Sequence, residues 1–228
     1  MNLGLLLLML CIEFIFACGP VSRLPASDDY SEIGKQQLEK EKWGEAVWDN
    51  DVVTAECLLD RGIEVDAPLE DGRAPLHLAC AAGYDEMVSL LLSRGADVDV
   101  RQSGGETPLM IVAGRGDDLL VTRLLQAEAI VDMGNFEGIT ALMFSAMGGH
   151  VETARILVSF GAAVDAADKQ GNTALMMAAM EGHQEMVEYL LKIGADSHRA
   201  NAFGQTAIML AAKYNNENIV GLLENDTP

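Results

Sequence analysis

Two histidines, His150 and His183, stand 33 residues apart, a pair that could share a metal ion or pass a proton if the fold brought them together. Acidic pairs could serve as general acid and base: Asp117 beside Asp118, and Glu185 with Glu188. Cys11, Cys18, Cys57 and Cys80 offer thiolate chemistry or cross-links, and a recurring methionine offers soft-metal or oxidation chemistry. None of these completes a reactive group. The chain has no C-x-x-C, no histidine at ligand spacing from a cysteine, and no GxxxxGK[ST], HExxH or GxSxG segment. With no nucleophile, base and oxyanion donor in combination, neither catalysis nor a cofactor or metal site is expected. The acidic pairs are expected on solvated outer helix faces, and the histidines in structural roles.

The interval between the histidines runs through the whole chain. Gly72, Gly105, Gly138, Gly171 and Gly204 follow one another at 33 residues. Each precedes a tetrapeptide of one pattern: Ala74-Pro-Leu-His77, Thr107-Pro-Leu-Met110, Thr140-Ala-Leu-Met143, Thr173-Ala-Leu-Met176 and Thr206-Ala-Ile-Met209. Small pairs come next, such as Ala79-Cys80 and Ala178-Ala179, and then glycines at 83, 116, 149 and 182. Thr suits the N-cap of a short helix, Pro its first turn, and the small pair lets it approach a neighbour closely. The glycine ends that helix, and a second helix follows with apolar residues at i, i+3 and i+4, as in Val88, Leu91 and Leu92. It closes at Gly95-Ala96, Gly161-Ala162 or Gly194-Ala195. One such unit cannot bury its own apolar face, so the units must stack.

The 33-residue period and the entry Ala74-Pro-Leu-His-Leu-Ala79 resemble the ankyrin repeat family, over about residues 37–228. The resemblance implies an all-α solenoid of helix-turn-helix units joined by β-turn or hairpin connections. It divides the chain into an N-terminal cap at 37–69, units at 70–102, 103–135, 136–168 and 169–201, and a C-terminal cap at 202–228. In that family the motif histidine ties neighbouring repeats together by hydrogen bonds. Here only His77 keeps it, and Met110, Met143, Met176 and Met209 imply a more apolar seam. The unit at 103–135 ends Ala127-Glu128-Ala129, so its second helix could run differently.

Charge narrows the partners. The formal net charge is −20, which opposes nucleic acid and keeps a repeat array soluble. Cys57 and Cys80 are expected as buried thiols, with a disulfide between them after export as the alternative. The run Leu3–Ala17 has the length of a signal-peptide core, although Glu13 interrupts it and no Lys or Arg precedes it. Ile15-Phe16-Ala17-Cys18-Gly19 resembles a bacterial lipobox, with Cys18 as the lipidated residue. Ordinary cleavage nearby, an uncleaved anchor and a mis-assigned start remain open. Residues 1–18 thus read as a signal and 19–36, with Pro20, Pro25 and Gly34, as a flexible tether. The expected location is the periplasm or a lipid-anchored envelope site, with the cytoplasm as alternative.

In the family, turn tips and the exposed side of the first helices form a concave protein-binding surface. Carried through the glycine frame, that surface holds Arg73, Arg115, Phe136, Ile139, Met147, Met180, Phe203, Lys213 and Tyr214. Apolar and aromatic residues where exposure is expected point to a contact with another protein. The expected function is therefore non-catalytic: a monomer that binds or inhibits a protein partner, touching membrane only through an N-terminal lipid. An immunity-type protein or a companion of an exported enzyme is a specific form, and an envelope scaffold the alternative.

Overall fold

The computed structural model describes residues 32–225. Among these, the chain forms twelve helices and no strand. They come in six pairs: α1 (Glu32–Trp48) with α2 (Val52–Asp60), α3 (Pro75–Ala82) with α4 (Asp85–Ser93), α5 (Pro108–Arg115) with α6 (Asp118–Gln126), α7 (Ala141–Gly148) with α8 (Val151–Ser159), α9 (Ala174–Glu181) with α10 (Gln184–Lys192), and α11 (Ala207–Lys213) with α12 (Glu217–Glu224). Helices of eight or nine residues are too short to persist alone in water. What holds them is the layer of Leu76, Leu109, Leu142 and Leu175, each at most 1% exposed. Each such leucine contributes roughly 1.5–3 kcal/mol of apolar burial.

The small pairs act as expected. First helices lie against one another more extensively than second helices do, because Ala79, Ala113, Ala146, Ala178 and Ala211 are wholly buried between them. Thr107, Thr140 and Thr173 cap α5, α7 and α9 through their hydroxyl oxygens, each accepting from the methionine N–H three residues on. Ala74 and Thr206 make no such bond.

Each stacked junction is also tied at one repeated atom. The carbonyls of Trp48, Ala81, Gly114, Met147 and Met180, in the last turns of the first helices, recur at the repeat period. All accept from the next repeat, and from four kinds of donor. Tyr84 Oη donates to Trp48 at 3.3 Å, and Arg115 donates to Ala81. His150 Nε2 reaches Gly114 at 3.1 Å, His183 Nε2 reaches Met147 at 2.8 Å, and Asn216 Nδ2 reaches Met180 at 3.0 Å. Position 117, where a histidine would stand, is Asp117; it caps α6 by accepting from the Leu120 amide and cannot donate. Arg115, two residues earlier, supplies the missing donor.

A second ladder runs along the loops after the second helices. Asp66, Asp99, Asp132 and Asp165 accept the amide N–H of Asp97, Ile130, Ala163 and Asp196 in the following repeat, at 2.9–3.1 Å for the shorter contact. Ionised acceptors strengthen such bonds, so part of the acidic excess is structural.

Several expectations change. Cys57 is disulfide-bonded and Cys80 is free and buried, so the two are not joined to each other. Helix α1 begins at Glu32, inside the segment read as tether to 36; Glu, Lys and Gln there are good helix formers. Cys18 and the signal segment lie outside the described residues. Helix α6 has the same nine residues as its counterparts, because Glu128 takes φ 65 where other repeats have glycine. Asp117 and Asp118 are not a solvated pair: Asp118 Oδ1 accepts from Thr153 Oγ1 at 2.5 Å, joining α6 to α8. Glu185 and Glu188 are exposed. The methionine seam forms from Met110, Met143 and Met176, each 1% exposed, but Met209 is 56% exposed, because no repeat follows it among the described residues.

Two outcomes follow from this packing. Glu128→Gly relieves a left-handed conformation that costs an L-residue about 1–2 kcal/mol, part of it offset by glycine's freedom in the unfolded chain. A net gain of about 0.5–1 kcal/mol is expected in urea titrations at unchanged slope, and a loss would contradict the strain. His77 is buried, with Nε2 on the Glu106 carbonyl at 3.1 Å and Nδ1 unpartnered. Burial holds its imidazole below the ordinary 6.5. The unfolded chain therefore takes up the proton first, so this contribution is complete above about pH 6.5 and is lost as pH falls below it. His77→Met should lose less stability than wild type between about pH 7.5 and about pH 5.5; equal losses would show that the ring is not the cause.

Candidate binding face

The turn tips owe their shape to side chains that accept from their own loop. Asn135 Oδ1 accepts from Glu137 and Ile139, Asp168 Oδ1 from Gln170 and Asn172, and Asn201 Oδ1 from Phe203 and Gln205, all at 2.8–3.0 Å. Adjacent tips are then joined through the backbone. Phe136, Lys169 and Ala202 donate to the carbonyls of Gly104, Glu137 and Gln170 at 3.2, 2.8 and 2.7 Å. Side chains on successive tips are thereby held in fixed register.

The nine residues expected on this face differ in exposure and in the partners they already have. Phe203 is 72% exposed, and Phe136, Met147 and Tyr214 are exposed as well. Ile139 and Met180 are only partly exposed and pack against the core. Arg115 is exposed, but its guanidinium is committed to Ala81. Arg73 pairs with Asp71 at 2.7 Å and lies 5.3 Å above the ring of Trp48. Lys213 sits 5.5 Å from the Tyr214 ring.

Four of the nine do converge. Met180, Phe203, Lys213 and Tyr214 line a groove of about 150 Å³ between the last two repeats, floored by Met176, Met177 and Leu210. Met176, Met177 and Leu210 are at most 7% exposed, so the groove has an apolar floor and an aromatic rim. Asn172, Asn201 and Gln205 complete the lining. Sequence reasoning missed Trp48, exposed at the other end of the face; it occupies the frame position of Met147 and Met180 in the first repeat, which lacks the entry motif.

Among the described residues no group of three or more His, Cys, Asp or Glu is placed to hold a metal, and no helix is long and apolar enough to cross a membrane. His150 and His183 donate to backbone carbonyls of different junctions. Burial pushes the Cys80 thiol up to about 12, which keeps it un-ionised near neutrality.

Comparison with known families agrees with this geometry. A family model described as ankyrin repeats (3 copies) matches residues 44–133 and 109–201. No curated protein matches the chain.

Gly105 tests how tightly this face is built. It has φ 81, and a Cβ there would lie 2.7 Å from Phe136 Cδ1 and 2.8 Å from the Phe136 amide nitrogen. Gly105→Ala should cost at least about 2 kcal/mol in denaturant titrations, through conformation and backbone clash together. A cost below about 0.5 kcal/mol would mean the ring and backbone do not rest there.

Proposed function

The chain belongs to the ankyrin repeat family and is a protein–protein interaction module; from that premise we propose that it is an exported or lipid-anchored monomer that holds or inhibits one protein partner. The observation that carries the proposal is the groove between the last two repeats, where Phe203 and Tyr214 stand exposed over a methionine floor. Rigid aromatic groups beside a preformed apolar recess have the character of an interface hot spot. The non-catalytic reading draws on the absence of a catalytic motif from the sequence. Export and lipidation rest on the run Leu3–Ala17 and on Cys18 within Ile15–Gly19. An immunity-type protein, or a companion of an exported enzyme, fits such a module.

A second reading is favoured by Trp48 and Arg73. They form an aromatic–cation pair, with Trp48 exposed and Arg73 partly so, in the first two repeats, well separated along the array from the groove. A scaffold that positions several proteins at the envelope would use both ends. In the cytoplasm the same face would serve an adaptor.

Capture by the full chain from native extract separates these readings. Phe136→Ser with Phe203→Ser should abolish retention of one partner while leaving the melting transition in place. Retention of every partner by that folded variant would overturn the proposal, and loss of only part of the set would favour the scaffold. Intact mass of the native protein should show a lipidated N-terminus at Cys18, lost in Cys18→Ser; a whole chain without lipid would remove the anchor.

A further inference from the structure

The groove says what kind of segment fits it. Its volume of about 150 Å³ is that of a cavity that accepts one benzene-sized group. Methionine thioethers on the floor and aromatic rings on the rim favour an aromatic occupant, since sulfur–ring and ring–ring contacts both add to apolar burial. The groove's charge is the reverse of the chain's. Asp and Glu outnumber Lys and Arg by 35 to 15, yet no carboxylate lines the groove and one ammonium, Lys213, does.

That ammonium is uncommitted. Arg73 is paired with Asp71, Arg115 with the Ala81 carbonyl, and Arg101 with the carbonyls of Gly105 and Gly134. Lys213 has no ion-pair partner among the described residues and is held beside the Tyr214 ring. The Gln205 carboxamide, also in the lining, makes no side-chain hydrogen bond among the described residues. A cation and an amide at the edge of an apolar recess are the complement of a carboxylate beside a ring.

We infer that the groove takes a segment of a partner protein in which an aromatic side chain adjoins an Asp or Glu. The ring enters between Met180, Phe203 and Tyr214, and the carboxylate meets the Lys213 ammonium. This rests on the proposed role as a binding module and specifies the partner's chemistry.

The test uses the full chain with carbon-13 methionine methyls and three blocked peptides: acetyl-Gly-Phe-Asp-Gly-amide, acetyl-Gly-Phe-Lys-Gly-amide and acetyl-Gly-Ala-Asp-Gly-amide. The Phe-Asp peptide should move the Met177 and Met180 methyls saturably, leaving Met143, which is buried and outside the groove lining, unmoved. The other two should bind at least about tenfold more weakly. Lys213→Glu should transfer the preference to the Phe-Lys peptide. Lys169→Glu, which changes net charge equally on a tip outside the groove lining, should leave the Phe-Asp preference unchanged.

No shift at Met177 and Met180, equal binding of the two charged peptides, or an equal effect of Lys169→Glu would overturn the inference. Shifts that follow protein concentration without peptide would assign the groove to a second copy and overturn it too. If partner capture depends on Phe203 while these peptides fail, the binding face stands and this occupant falls. If the Phe-Asp peptide binds as described while capture ignores Phe136 and Phe203, the occupant stands and the proposed function falls.

Discussion

A first helix of eight residues ends almost as soon as it begins, and its last carbonyls have no partner within it. In this protein the carbonyl recurring from Trp48 to Met180 is satisfied from outside, by the next repeat along. Burial and polar satisfaction are therefore solved at the same interface. A repeat that lost its neighbour would expose apolar surface and orphan a carbonyl together, and the second loss adds the cost of an unpaired polar group to the first. The donors differ in chemistry because the carbonyl requires only an N–H or O–H at the right height. Phenol, guanidinium, imidazole and carboxamide all provide one.

The aspartate ladder answers a different problem. Loop amides after the second helices have no strand or helix to bond with, and Asp66, Asp99, Asp132 and Asp165 receive them from the repeat before. The acidity of the chain is in part a consequence of its periodicity. With aspartates and tip asparagines holding the connecting backbone, the first-helix layer could give its side chains to packing.

Much of this was legible in the sequence. The period, the helix pairs and the small-residue contacts follow from Gly72 onward, since steric rules act locally and repeat with the sequence. Convergence of Met180, Phe203, Lys213 and Tyr214 was half legible: frame arithmetic puts them on one face, but not in one recess. Ile139 shows the reason, because a frame position states direction and not depth. The bond from Arg115 to Ala81 was not legible, since the defect it repairs, Asp117 in a donor's place, is visible only once the Ala81 carbonyl is located. The disulfide at Cys57 lay beyond sequence reasoning, because pairing depends on a distance that spacing along the chain does not give.

Glu128 gives the array an internal weak point. Units that touch only their neighbours are joined in series, so a local defect is not averaged over the whole molecule as it would be in a globular core. A left-handed glutamate at the end of the third unit lowers the cost of opening there relative to the glycine-closed units on either side. Fraying is then expected first at the end of α6, while the packing of α5 on α7 and the Asp118–Thr153 bond still hold the third unit to the fourth.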